Sequence, residues 1–351
     1  MKAARFHARK DLRIEDVPEP DLRSGAVKIS VAWCGICGTD LHEFLEGPIF
    51  SPAPGHPHVL TGEAAPVTLG HEFSGTIEEV GDGVSGLAVG DNVVVEPYFV
   101  CGECGPCREG NYNLCTKLGF IGLAGGGGGL SEKIVVDARW VHPIGDIPLD
   151  EAALIEPLAV AHHAVGRSGL TAGATAVIGG AGPIGLLTAA VLKGLGITTV
   201  VTELSAARKE KARSSGVADH VVDPSTDDVK ARVLELTGGA GADAAFECAG
   251  VNAVLDTMLD VVKPAGVVVN VSIWGRPATV DMQKIVLKEI DLRGTIAYRG
   301  DHAAVIKLVR EGKVDLKPFI TGRIALEDLV DKGFDTLINH NDTAVKIIVH
   351  P

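Results

Sequence analysis

Residues 174–185 read A-T-A-V-I-G-G-A-G-P-I-G, an apolar strand running straight into a glycine turn, and a helical pattern follows at once. Few folds use that junction. Gly180, Gly182 and Gly185, with Pro183 and Ile184 between them, allow a tight turn, and backbone N–H groups at the following helix N-terminus can approach a pyrophosphate. The alternation continues through TTVVTE, LSAARKEKARSSG, ADAAFECAG, GVVVNVSIWG and IDLRGTIAY. It predicts an α/β, doubly wound parallel sheet of the Rossmann type. Glu203 ends the next strand, where a carboxylate accepts hydrogen bonds from the adenosine ribose and repels a 2′-phosphate. NAD is therefore expected over NADP. Arg208 lies nearby and is placed along the adenine side of the same site.

The preceding 150 residues have another texture. Short runs such as VKISVAW, SGTIEEVG, DNVVVEP and SEKIVVD are separated by Gly and Pro and read as a compact, barrel-like β domain with long loops. Residues 48–70 are Pro-rich and expected to be irregular, and the five glycines Gly125–Gly129 read as a flexible or tight surface loop. The expected domains are 1–156, with a cysteine lobe over about 98–118, then 157–297, then a return of 298–351 to the first domain. A length of 351 residues with 46% hydrophobic and 22% charged residues suits two globular domains. A net charge of −13 argues against nucleic-acid binding and docking on anionic membranes. No signal-like or membrane-spanning run stands out, so a cytoplasmic location is expected.

Six of the seven cysteines fall in closely spaced groups, which in such a chain points to metal before disulfides. Cys101, Cys104, Cys107 and Cys115 form C-x2-C-x2-C-x7-C, which can wrap one tetrahedral zinc in a closed, structural site. An iron–sulfur cluster is the competing reading. Further motifs are W-C-G-I-C-G-T-D-L-H with Cys37, L-G-H-E-F-S-G with His71 and Glu72, and I-E-P-L-A-V with Glu156.

With those motifs in that order, the chain resembles the zinc-dependent medium-chain dehydrogenases over essentially its whole length. Within them it is most similar to the (R,R)-2,3-butanediol branch, through WCGICGTDLHEFLEGPIF, the long loop to APVTLGHEFSG, and IEPLAV. The resemblance implies a GroES-like β-barrel catalytic domain beside the Rossmann domain. It implies that Cys37, His71 and Glu156 hold a catalytic zinc, with Glu72 as a fourth or alternating ligand, so that two zinc ions are expected per chain. Asp40 would fix the ligand histidine, and Thr39 and His42 would form a proton relay. It implies a homodimer or homotetramer acting on a small diol or hydroxyketone, with a sorbitol-type polyol as the alternative substrate.

Other readings stay open at this level. Cys34 with Cys37 makes a C-x-x-C that a thiol–disulfide oxidoreductase would use, and a non-catalytic NAD-binding protein is a third class. His56 and His58 read as solvated, His162 and His163 as helix-surface residues, and Cys248 as a small buried residue. Leu130 stands where relatives commonly carry an aromatic.

Overall fold

The computed structural model describes all residues from Met1 to Pro351. They form two compact units, Met1–Glu156 with Ile320–Pro351, and Pro157–Phe319. The return to the first unit thus begins at Ile320 rather than near residue 298. The helix His302–Arg310 buries Val305, Ile306 and Leu308 and stays with the second unit.

The first unit is built on a seven-stranded sheet whose path runs Val141–Pro143, Asn92–Val95, Glu72–Val80, Ala26–Gly35, Lys346–His350 and Ile320–Ala325, with Lys133–Asp137 also paired to Ala26–Gly35. A second sheet joins Asp11–Asp16, Lys2–Ala8 and Val67–Thr68. Strand Ala26–Gly35 is the hub. It alternates β-branched and small residues that pack on both faces, with Val27, Ile29 and Val31 in the core. Antiparallel register places Gly35 opposite Glu72, so the two metal-type motifs start side by side.

The glycine run is packed structure, not a surface loop. Gly128 and Gly129 are buried. A Cβ on Gly128 would lie 2.3 Å from the Leu69 carbonyl oxygen, and one on Gly129 would lie 2.6 Å from the Cβ of Phe73. The Gly129 amide donates to Gly70 O at 2.7 Å, and Leu130 donates to Leu69 O at 3.0 Å. Only residues without a side chain let this segment lie against the backbone that presents His71. Buried Leu130 closes the same contact.

The second unit is a six-stranded parallel sheet ordered His220–Val222, Thr198–Thr202, Thr175–Gly179, Ala242–Glu247, Val262–Asn270, Asp291–Gly294. Strand order reverses between Thr175–Gly179 and Ala242–Glu247, which opens a crevice at their carboxyl ends. His162 and His163 are tied down rather than merely exposed. Their Nδ1 atoms lie 2.6 and 3.1 Å from the two oxygens of Asp301, which also accepts from the Arg299 amide at 2.8 Å. Burial opposes charge on Asp301, but the two imidazoles hold its carboxyl well below the usual range. His58 is likewise engaged, its Nε2 lying 3.3 Å from Leu118 O and its ring against Gly119. His56 is exposed, as expected.

Candidate active site

Strand Ala26–Gly35 ends one turn before the helix Gly38–Glu46, and Cys37 is the N-cap of that helix. The Cys37 amide donates to Asp40 Oδ2 at 2.9 Å, closing the first turn of the helix. Gly70, at φ +97°, turns the chain so that His71 follows; a Cβ there would lie 2.6 Å from the Leu130 amide nitrogen. The Cys37 sulfur, a His71 nitrogen and a Glu72 oxygen lie within 4.8 Å of one another. Glu156 is outside that group. It is buried on the first turn of the helix Ile155–Ser168, and its charge is felt at His71.

Donor chemistry fits a metal. A soft thiolate, an imidazole and carboxylates converge in a buried pocket, the set zinc prefers. His71 Nδ1 and Asp40 Oδ1 are buried without hydrogen-bond partners and face each other at 3.7 Å. A ligand histidine oriented through its second nitrogen needs that arrangement. Burial opposes protonation of His71, but Cys37, Asp40 and Glu156 outweigh it and raise its pKa well above the ordinary range. Such an accumulation of negative charge is what a bound cation relieves. Thr39 Oγ1 lies 3.7 Å from the Cys37 sulfur, while His42 is exposed on the same helix.

The four sulfurs of Cys101, Cys104, Cys107 and Cys115 also lie within 4.8 Å of one another. Backbone amides point at them: Cys101 N and Lys117 N each sit 3.3 Å from the Cys115 sulfur, and Cys104 N sits 3.4 Å from that of Cys101. Amides of Thr116 and Cys107 pull the Cys104 thiol down to about 6, while burial and Cys104 push Cys107 up to about 12. The lobe therefore offers a thiolate ready-made, and a metal ion would deprotonate the rest. Tyr98 and Tyr112 meet edge-on at 5.6 Å beneath it, and the Tyr112 hydroxyl donates to Glu96 at 2.7 Å.

In the second unit, strand Thr175–Gly179 feeds the helix Pro183–Gly194, with Gly182 as N-cap and Pro183 in its first turn. Gly180 adopts φ +102°. A Cβ on Gly185 would lie 2.0 Å from Gly180 O, so this glycine lets helix and turn close on each other. A Cβ on Gly182 would meet nothing within 4 Å, leaving space in front of the helix N-terminus for a phosphate. Ile184 is half-buried beside it. The Glu203 carboxylate is pinned to the loop, accepting from Ala181 N at 2.9 Å, Leu204 N at 2.8 Å and Ser205 N at 2.9 Å. Arg208 is half-buried on the next helix, Ala206–Ser214, its amide donating to the Ser205 cap at 3.4 Å.

Two family models match the chain: the alcohol dehydrogenase GroES-like domain over residues 23–146 and the zinc-binding dehydrogenase over 183–311. An (R,R)-butanediol dehydrogenase from Neisseria gonorrhoeae is 62% identical over 353 residues, covering 100% of this chain and 99% of that protein. The crystal structure of 2R,3R-butanediol dehydrogenase from Bacillus subtilis superposes with a TM-score of 0.93 at 48% identity, covering 100% of this chain and 99% of the other. A structure described as a zinc-binding dehydrogenase from Sinorhizobium meliloti, bound to NADP, superposes with a TM-score of 0.87 at 30% identity, covering 100% and 99%. The chain belongs to the zinc-binding dehydrogenases.

As a zinc-binding dehydrogenase it carries a GroES-like domain and a Rossmann-type parallel sheet. Buried charged residues near the site also escaped the motifs, Lys346 and Glu43 among them. Lys346, on the last strand, is 4% exposed and donates to both Glu72 oxygens at 2.8 and 2.7 Å and to Ile36 O at 3.2 Å. Burial disfavours its charge, but Glu72 and Cys37 more than compensate and raise its pKa. Glu43, fully buried beside His42, accepts from the amides of Ile49, Phe50 and Ser51 and so folds back the loop that follows the helix. Cys34 is fully buried in the strand, and burial pushes its thiol well above the usual range. A reactive thiol is accessible, so this burial argues against exchange chemistry at the C-x-x-C spacing.

Proposed function

We propose that this dehydrogenase oxidises (R,R)-2,3-butanediol to acetoin with NAD, and runs the reverse reduction, in the cytoplasm as a homodimer or homotetramer. The observation that carries the reading is the full-length 62% identity to a protein named for that diol, joined to an intact Cys37, His71 and Glu72 cluster beside Glu156. Seven free cysteines, five of them in metal-type groups, fit a reducing compartment. No helix is long and apolar enough to cross a membrane.

Cys37, His71 and Glu156 would hold the catalytic zinc, and the four-cysteine lobe would hold a second, structural one. Glu72, which lies with Cys37 and His71 and whose oxygens accept from Lys346, would be a fourth or alternating ligand. The zinc supplies Lewis-acid polarisation of the substrate hydroxyl. Asp40 orients the His71 ring. Thr39 Oγ1 would accept the substrate hydroxyl's proton, and His42, exposed to solvent on the same helix, would release a proton to water. A bound nicotinamide would supply the hydride acceptor. The glycine loop Gly180–Gly185 would hold the pyrophosphate, and Glu203 and Arg208 the adenosine end. The second hydroxyl of a vicinal diol pairs with a polar group of the site that a mono-alcohol would leave unsatisfied.

Steady-state kinetics on separate butanediol stereoisomers, butan-2-ol and sorbitol, each with NAD and NADP, test the reading. The (R,R) isomer with NAD is expected to be preferred. Butan-2-ol should be poorer by roughly ten- to a hundredfold, and NADP by about a hundredfold because of Glu203. Sorbitol oxidised more efficiently than every butanediol isomer would move the chain to the polyol branch. Comparable efficiency with NADP would show that a cation overrides Glu203. For the relay, His42→Ala should slow oxidation by about tenfold or more near neutral pH, and the loss should shrink as rising pH lets hydroxide replace the internal base. A pH–rate profile identical to that of the parent would leave His42 as a surface residue.

A further inference from the structure

Glu247 ends the strand Ala242–Glu247, on the far side of the crevice from the Glu203 strand, and is fully buried. It carries none of the motif signals, yet its carboxylate is a junction. Oε1 accepts from Ala249 N at 2.9 Å and Gly250 N at 2.8 Å, and Oε2 accepts from the Ser272 hydroxyl. Its carbonyl accepts from Val271 N at 2.9 Å and Ser272 N at 3.3 Å. One side chain thus ties the loop after its own strand to the loop after the neighbouring strand Val262–Asn270. Charge-assisted bonds of this kind are about twice as strong as neutral ones.

The two loops stand at the edge of the crevice. Ala249 touches the glycine turn, where a Cβ on Gly180 would lie 3.2 Å from the Ala249 Cβ. A Cβ on Gly250 would lie 3.6 Å from Ile273 O, so the loops also meet each other. They present Val251 and Ile273 to solvent at 47% and 60% exposure, two apolar side chains at the carboxyl ends of the strands with no core to cover them. Dinucleotides lie across such a crevice, one nucleotide per half of the sheet. Glu203 claims the half on the Thr198–Thr202 side for adenosine, which leaves the half of Glu247 for the nicotinamide riboside.

We infer that Glu247 is a positioning residue for the cofactor: its carboxylate locks the loops 248–251 and 271–273 into the wall that receives the nicotinamide half of the dinucleotide. The inference rests on the NAD reading above. Without the carboxylate the loops must be ordered by the ligand itself, and affinity falls by the fraction of time they are in place. Only ligands that reach that half feel the loss.

Calorimetric titration of the full-length holoenzyme with NADH and with ADP-ribose separates the halves. Glu247→Ala should weaken NADH by about tenfold and leave ADP-ribose within about twofold, with zinc content unchanged. Glu247→Gln keeps an accepting oxygen for the two amides and should restore most of the NADH affinity. Ser272→Ala, which removes one bond and no charge, should move NADH the same way by a smaller factor and guards against a poorly folding Glu247→Ala. Parallel losses for NADH and ADP-ribose, or unchanged NADH affinity in all three variants, would overturn the inference. A parent enzyme that binds neither ligand would instead overturn the dinucleotide reading, and this inference with it.

Discussion

If the cleft and the cysteine lobe each hold a zinc as proposed, His71→Ala is expected to lose the first and about a thousandfold in kcat/KM for the diol, while the fold persists. The imidazole is one of two non-carboxylate donors in the cleft, and with it goes the only partner facing Asp40 Oδ1. Lewis-acid polarisation contributes several kcal/mol to such a reaction, which is about a thousandfold in rate. The four-cysteine lobe is assembled independently from residues 101–115 and should keep its ion. Elemental analysis beside kinetics reads both quantities on one preparation. Two zinc ions per chain in the variant, or activity within about tenfold of the parent, would remove His71 from the metal site. A parent protein without zinc would remove the mechanism altogether.

Lys346→Met should cost about 3–5 kcal/mol of stability. The lysine and Glu72 are 4% and 1% exposed at the side chain and are joined by two bonds of 2.8 and 2.7 Å. Methionine keeps the volume and removes the charge, so the Glu72 carboxylate loses the buried ammonium that donates to both its oxygens. The loss should appear as a lower urea midpoint with little change in slope. Glu72→Gln placed on top of Lys346→Met should recover part of it, since the orphaned charge is then gone. A single variant within about 1 kcal/mol of the parent would mean that the pair contributes no more than an exposed one. Activity should fall as well, because Glu72 adjoins Cys37 and His71.

Much of the second unit could be read in advance because its signals are local. The glycine turn, the strand before it and the helix after it occupy one short segment, and Glu203 follows at the end of the next strand, hydrogen-bonded to the turn itself. The cysteine lobe is equally local, four donors within 15 residues whose own backbone amides point at the sulfurs. Residues 149–168 form two helices, Leu149–Ala152 and Ile155–Ser168, which places Glu156 in a first turn where a carboxylate suits the helix dipole.

What could not be read was every partnership made at long range. Lys346 is 274 residues from Glu72, and nothing near it in the chain marks it as more than a polar residue in a terminal strand. Asp301 meets His163 across 138 residues, which turned two apparent surface histidines into anchored ones. The five glycines looked like a loop because flexibility is what glycine signals alone. Their actual constraint, the backbone of Leu69 and Gly70 and the ring of Phe73, comes from a strand and turn that only folding brings alongside. Covalent proximity therefore determined which chemistry this chain carries: a dinucleotide turn, a thiolate cage, and the Cys37 and His71 motifs. Tertiary packing decided which carboxylates are held by a buried lysine, which loops are locked at the crevice, and how closely the backbone may approach itself. Those depend on desolvation and on excluded volume between segments far apart in sequence, and no local pattern encodes either.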